Sequence, residues 1–551
     1  MAGKLALSVM QLESREVMNY GFVSAADPFA GVTADQVASQ PGVNYPGTQV
    51  EPMVVTDPNH KNHMVAAWQQ DRWSNGGARG IVVGVSDDGG RHWSTVVLPG
   101  VSLASGGKYA RVTDPWLAYA PNGDLYATSL AWNPAGDPYH PYPFDVTASA
   151  MLISKSTDGG RTWGAPRTLI EEVSPGLNAL PPSLAFNDKE TVTVDPHDSR
   201  FVYVTWTRIS LDVNFATSPP APVFRGPTYF SRSTDGGLTF ETARPIYDPG
   251  AFSQTIGNQI VVLPNGDLVN MFAQGSEGDK NGDIAVIRSK DHGKTWSGPI
   301  IIATGASIPV TNPETGIPIR SADTIPQIAV DPRSGALYVV GQGLQLKNGA
   351  AVPGIIFSQS TDGGATWSPP ISINRTPSGA PEANRQAFDP SVRVNKEGIV
   401  AVTYYDTRNN TAAAGLLTDA WAVFADPSDR RNAPGGLANP ANWGKEVRLT
   451  PSSFDLEKAP QSTNENGGYF LGDYQGLTTT GKRFLAFFSV PGPNGVGTSG
   501  VYARMFKPGD RGDQDGRVRD RRSWAAPDWD DFRAPYVDGA DLIGTRRYRR
   551  L

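Results

Sequence analysis

Five times along this chain the pattern Ser-x-Asp-x-Gly-x-x-Trp returns. It runs from Ser156 to Trp163 as Ser-Thr-Asp-Gly-Gly-Arg-Thr-Trp. Ser86, Asp88, Gly90 and Trp93 repeat it, as do Ser289, Asp291, Gly293 and Trp296, and Ser360, Asp362, Gly364 and Trp367. Ser233, Asp235, Gly237 and Phe240 carry it with Phe in place of Trp. Average residue usage gives on the order of 0.01 such matches by chance in a chain of this length, so the repeat reports architecture. Physically it reads as a hairpin turn. Ser and Asp side chains bond to the turn's own backbone, Gly takes left-handed angles, and Trp opens the returning strand with its ring over the turn.

A second repeat is independent of the first. Met53–Trp68, Leu117–Thr128, Thr191–Trp206, Ile260–Met271, Ile328–Val340 and Val392–Tyr404 each show an alternating strand, a Pro/Gly/Asn/Asp turn and another alternating strand. Gly476–Phe488 is a looser seventh case. The first five hairpins are each followed by a third strand, the repeated turn and a fourth strand. The sixth keeps a third strand (Ala420–Ala425) without the turn. The seventh has Val501–Phe506 and then stops, so its fourth strand is expected from the N-terminal arm, closing a ring.

The unit implied is a four-stranded antiparallel sheet, and the chain is expected to be all-β. Seven hairpins argue for a β-propeller of seven blades, with six blades and one outlying hairpin as the alternative. The boundaries expected are an N-terminal arm at 1–47, the propeller at 48–508 and a C-terminal tail at 509–551. A short helix is expected within Leu5–Tyr20. The tail, with Arg511-Gly512-Asp513, reads as a solvated segment.

Composition narrows the chemistry. A formal net charge of −6 offers no basic face for nucleic acid. The absence of cysteine excludes disulfides and thiolate ligands. No apolar run approaches a membrane span, and the opening residues are not expected to act as a signal peptide. His60 and His63 fall in a strand 1–2 turn, and His92 and His292 within the repeated turns, so no zinc site or other cofactor is expected.

Connectivity places a site. The 1–2 turns and the repeated turns are short and share one end of every unit. The long connections, Ala131–Thr147, Ile209–Gly226, Gly305–Ile325 and Pro451–Gly472, share the other, which is expected to be the binding face. Charged and phenolic groups gather at strand ends there: Asp71 and Arg72, Asp114, Asp188 to Glu190, Arg208, Arg320 and Asp323, Arg385 and Asp389, Tyr405, Asp406 and Arg408, and Asp473 with Tyr474.

The repeated turn resembles the Asp-box, or bacterial neuraminidase repeat, of the sialidase superfamily, over residues 86 to 367. The resemblance implies a glycan ligand and a sialidase-like glycoside hydrolase. On that reading Arg72, Arg385 and Arg408 form a carboxylate clamp, with Asp71 and Arg208 nearby. Asp114 is the acid, and Tyr474 is the nucleophile with Asp473 or Asp406 beside it. The rival reading is a non-catalytic propeller that binds glycan or protein in a surface or virion assembly, through the arm or the tail. The missing Arg-Ile-Pro before the first turn and the non-repeating ends favour it. Either role points to an extracellular, cell-surface or virion location.

Overall fold

The computed structural model describes residues 20–23, 27–35, 42–134, 146–173, 184–214, 221–276, 282–305, 309–347, 350–463, 467–492 and 497–510. The expected helix within Leu5–Tyr20 and nearly all of the tail lie outside them. The described chain is all-β, with short 3-10 turns and no longer helix. No described helix is long and apolar enough to cross a membrane.

The strands pair as successive antiparallel quartets. The first comprises Gln49–Thr56, Met64–Arg72, Ala78–Ser86 and Ser94–Val97. The second comprises Arg111–Tyr119, Leu125–Pro134, Val146–Ser156 and Arg167–Val173. The third comprises Leu184–Val194, Val202–Asn214, Thr228–Ser233 and Arg244–Tyr247, and the fourth Ser253–Val262, Leu268–Ser276, Asp283–Ser289 and Ile300–Thr304. The fifth comprises Gln327–Val330, Leu337–Lys347, Ala350–Ser360 and Ile371–Ser372, and the sixth Ala387–Val394, Val400–Asp406, Leu417–Ala425 and Val447–Arg448. Gly476–Thr480, Arg483–Pro491 and Ser499–Phe506 form the last group. Its fourth strand is Tyr20–Phe22, in register Tyr20↔Arg504 to Phe22↔Tyr502. The first strands of successive groups touch in order, and that of the last touches that of the first.

The turns follow the chemistry read from sequence. At Asp158, Oδ1 accepts from Ser156 Oγ (2.8 Å) and Thr162 N (2.9 Å), and Oδ2 accepts from Thr162 Oγ1 (2.6 Å). Gly160 N donates to Ser156 Oγ at 2.9 Å, and Trp163 Nε1 donates to Gly160 O at 3.0 Å. Gly160 sits at φ 86°, where a Cβ would also press on Val65 at 3.1 Å. Partial burial works against the Asp158 charge, yet the bonds from Thr162 and Ser156 hold its pKa at about 2. The same Trp bond forms at Trp93, Trp296 and Trp367; Phe240 has no N–H to make it. In the first turn His92 takes the Thr place, its Nδ1 2.5 Å from Asp88 Oδ2.

Two of the repeated turns back onto their own 1–2 turn: Gly89 N donates to Asn62 O (2.9 Å) and Gly236 N to Arg200 O (3.0 Å). Most of the expected connection Ala131–Thr147 lies outside the described residues, and two of the other long connections pair. Pro318–Arg320, after the fourth quartet, runs parallel with Gly468–Phe470, before the last. Val310–Thr311 and Gln461–Ser462 extend this into a separate four-stranded sheet. One expected loop is corrected. Much of Ile209–Gly226 is a continued hairpin, with Ser210↔Arg225 to Asn214↔Ala221 in register. The β-branched and aromatic residues that flank it favour continued pairing over a loop.

Candidate functional site

The first strands carry a device that the hairpin repeat conceals. In five of them two residues bulge out of the ladder: Glu51-Pro52, Asp114-Pro115, Lys189-Glu190, Gly257-Asn258 and Asp389-Pro390. The first residue of each bulge is left-handed, with φ between 52° and 67°. Such angles are uncommon for Glu, Asp or Lys and cost about 1–2 kcal/mol each, and bulges re-aim side chains. Three of the side chains they re-aim, Glu51, Asp114 and Lys189, meet.

Lys189 Nζ lies 2.6 Å from Asp473 Oδ2, 3.0 Å from Asp114 Oδ1 and 3.3 Å from Glu51 Oε1. Thus the first, second, third and last groups are tied at one point. Arg320, from the separate sheet, forks onto Asp473, its Nε 2.8 Å from Oδ1 and its Nη2 on Oδ2. Gln69 Nε2 donates to Glu51 Oε2 and, at 2.7 Å, to Thr113 Oγ1. Arg72 Nη1 donates to Gln69 Oε1 at 3.1 Å. The guanidinium groups of Arg72 and Arg320 lie 4.0 and 5.0 Å from the centroid of the Phe470 ring. All these groups except Arg320 are buried.

Adjacent carboxyls are pushed in opposite directions here. Burial, then Asp114, raises Glu51 well above the usual carboxylate range, against the pull of Lys189. Burial acts on Asp114 too, but Lys189 and a hydrogen bond with Glu51 outweigh it and hold Asp114 down. Asp473 is held well down by Arg320 and Lys189 against its burial. Lys189 is raised well above its ordinary value: its three carboxylates outweigh desolvation. Burial, with Arg320 beside it, lowers Arg72 to about 10. A shallow pocket opens onto this cluster, lined by Asp188, Lys189, Arg320, Asp323, Thr324 and Asp473.

Of the residues singled out in sequence, Asp114, Asp473 and Arg72 lie in the cluster, and Tyr474 lies against it. Tyr474 donates its hydroxyl to Pro115 O at 3.0 Å, with its ring edge-on to Trp116. Burial and the charges of Glu51, Asp114, Glu190 and Asp473 raise its pKa well above the ordinary phenol value. Asp71 accepts from Gly47 N (2.9 Å) and Gln70 Nε2 (2.8 Å), and burial raises its pKa. The remaining four are held by other partners. Arg385 Nε donates to Ala380 O at 2.8 Å. Asp406 and Arg408 pair with each other at 2.7 Å, and Arg408 also binds Glu446 and stacks on Trp421. Arg208 pairs with Glu172 at 2.6 Å.

Sequence reasoning placed Lys189, Glu190 and Arg320 at strand ends without roles, and passed over Glu51. The signal was an acid-Pro pair, Glu51-Pro52, Asp114-Pro115 and Asp389-Pro390, six residues before the residue that opens each 1–2 turn (Asp57, Ala120 and Asn395). Among the described residues no group of three or more His, Asp or Glu side chains is arranged to hold a metal ion.

No protein-family model matches the chain, and no curated protein matches it. Among solved structures it is similar to a protein of unknown function from Dyadobacter fermentans, at 14% identity and TM-score 0.41 over 85% of this chain and 99% of that one. It is similar to the intramolecular trans-sialidase from Ruminococcus gnavus, at 13% and 0.42 over 73% and 95%. It is also similar to an α-L-arabinofuranosidase from Fusarium graminearum, at 11% and 0.40 over 66% and 91%. Likenesses of this size assign neither substrate nor catalytic residues.

Proposed function

We propose that the quartets are seven blades of one closed Asp-box propeller, and that the protein recognises a glycan over the axial cluster. The cyclic contact of the first strands and the completion of the last group by Tyr20–Phe22 support the ring. In this reading residues 48–508 hold the propeller, and the arm before it supplies the closing strand. The observation that carries the site is the gathering of Glu51, Asp114 and Lys189, at bulges of three separate strands, with Arg72, Arg320 and Asp473, next to a pocket on the long-connection side. Planar, paired donors and acceptors of this kind match a sugar that carries hydroxyls and a carboxylate.

Glycoside hydrolysis is a second reading, favoured by the opposite protonation of Glu51 and Asp114. Neighbouring carboxyls pushed apart in this way divide acid and base roles. Here Glu51 is pushed toward its protonated form and Asp114 toward its charged one. Tyr474 would act as nucleophile only after releasing Pro115.

The test is binding of the full chain to a panel of neutral and sialylated glycans, with Arg320→Ala beside it and thermal melts to check folding. Binding that weakens at least about tenfold in Arg320→Ala, a loss of about 1.4 kcal/mol, is the expected result. No binding across the panel, or binding indifferent to Arg320, refutes the recognition site. Fluorogenic α- and β-glycosides that are never turned over refute hydrolysis alone.

A further inference from the structure

The histidines of the short turns are not alike. His60 Nδ1 lies 2.8 Å from Asp57 Oδ2, and His92 Nδ1 lies 2.5 Å from Asp88 Oδ2; both rings are exposed, so one N–H satisfies each. His292 Nδ1 lies 3.3 Å from the Tyr203 hydroxyl and accepts from it. His63 is 8% exposed, and both its ring nitrogens face an oxygen. Nδ1 lies 2.7 Å from Asp87 Oδ1, on the first repeated turn, and Nε2 lies 3.0 Å from Gly159 O, on the second. Among the described histidines it is the one placed in this way.

Both neighbours are acceptors. A neutral imidazole has a single N–H, and its other nitrogen then turns a lone pair on an oxygen; the imidazolium donates from both. Asp87 is ionised to meet it. His63, then Arg161, whose Nη2 lies 2.7 and 2.8 Å from the two oxygens, hold the Asp87 carboxyl below its usual range.

The turn itself does not call for histidine. His63 O accepts the bond from Asp57 N that closes the 1–2 turn, and Asp124, Phe201, Asp267, Ala336 and Ile399 hold that place in the next five units. The opposite side is cleared for the ring. Gly159 sits at φ 73°, and a Cβ there would lie 2.4 Å from His63 Nε2. The matching residue in the fourth repeated turn is His292, at φ 56°, so the turn accepts a side chain where no imidazole faces it.

An open crevice reaches the ring and gives solvent protons access. It is lined by Asp57, His60 and Lys61 from the ring's own turn, Asp87 from the first repeated turn, and Asp158 and Arg161 from the second. From the second quartet the Tyr119 ring stands edge-on at 6.3 Å, its hydroxyl held neutral by burial. Three carboxylates against two fixed cations leave the crevice one charge negative before either histidine is protonated, which favours the imidazolium.

We propose that His63 is a proton-operated tie between the first and second quartets: its imidazolium donates to Asp87 and to Gly159 O, and release of the proton to the crevice surrenders one of the two bonds. The tie lies at the turn ends of these quartets and is independent of any ligand at the axial cluster.

Urea melts of the full chain, His63→Gln and Asp87→Asn at pH 5.5 and 8 test it. A proton held more tightly by the folded state stabilises it below about pH 6.5, the unfolded histidine value, and that contribution is lost as pH rises. The unfolding constant of each variant relative to wild type is therefore expected to fall at least about threefold from pH 5.5 to 8. A ratio that stays constant or rises with pH in either variant overturns the tie. Labelling of the unaltered chain with 15N-histidine gives an answer that needs no variant. At pH 6 one ring is expected to show two slowly exchanging N–H protons, and a spectrum in which no ring shows more than one overturns the proposal.

Discussion

Replacing Lys189 by Met leaves three carboxyl groups facing one another without their shared cation. At an effective dielectric near 20, each contact of 2.6 to 3.3 Å is worth about 5–6 kcal/mol before desolvation. Burying the ammonium consumes most of that, and removing one partner from a buried ionic group typically costs about 3–5 kcal/mol. Unfolding entropy of about 2 cal/mol/K per residue gives roughly 1 kcal/mol per degree over 551 residues. The expected fall in thermal midpoint at pH 8 is therefore about 3–5 °C.

The pH dependence is the sharper test. With Lys189 present, Asp114 and Asp473 lie below their unfolded values, so their contribution persists above about pH 4 and is lost as pH falls through the folded values. The contribution of Lys189 itself is lost only as pH rises through its raised value, above about 10. In Lys189→Met, Asp114 loses its main counter-charge and rises above its unfolded value, while Arg320 still holds Asp473, so the folded state binds more protons. Its stability then improves as pH falls from 8 to 5. One coupled proton is worth about 1.4 kcal/mol per pH unit, so the gap to wild type should narrow by at least about 1–2 kcal/mol. Urea melts at pH 5 and 8 measure it. A gap under about 1 kcal/mol, or one that does not change with pH, refutes the cluster as an ionic tie between strands.

Ser289→Ala removes the acceptor of Gly293 N and a donor to Asp291, and should lower stability by about 1–2 kcal/mol in urea melts. Phe240→Trp restores the indole bond to Gly237 O that the other four turns possess, and should raise the urea midpoint by the equivalent of about 0.5–1 kcal/mol. Gly500→Ala puts a Cβ 2.2 Å from the Phe22 ring. It should cost about 1–3 kcal/mol and make strand Tyr20–Phe22 more susceptible to proteolysis than in the wild type. Stability should fall below about pH 4, where Asp88, Asp158, Asp235 and Asp362, held at about 2 by their turn bonds, begin to protonate in the unfolded chain first. An acid titration by circular dichroism that stays flat to pH 2 would exclude this.

What the sequence disclosed was local. A side chain bonding its own turn leaves a fixed spacing, as at Ser156, Asp158 and Gly160, and alternation marks each hairpin. The pairing of Tyr20–Phe22 was legible because the last group lacked an edge strand. Asp114, Asp473 and Arg72 were found as charges at strand ends, but their partners were not. Lys189 meets Asp473 only because a bulge turns it inward. Arg320 reaches the cluster only because Ile319 pairs with Tyr469 from a distant connection. Neither event leaves a spacing to read. Arg385 and Arg408 show the converse: their neighbours Ala380 and Asp406 engage them locally.

The register of Tyr20 against Arg504 has a consequence for how the chain comes into being. A ribosome emits the N-terminal strand hundreds of residues before its mate exists. Until then, if the proposed ring holds, the nascent molecule is an open arc with one sheet edge bare, the kind of surface that recruits other strands. Truncation anywhere ahead of Ser499 would fix that arc permanently, so prematurely terminated products should precipitate while the finished chain, its first and last strands zipped together, stays dispersed.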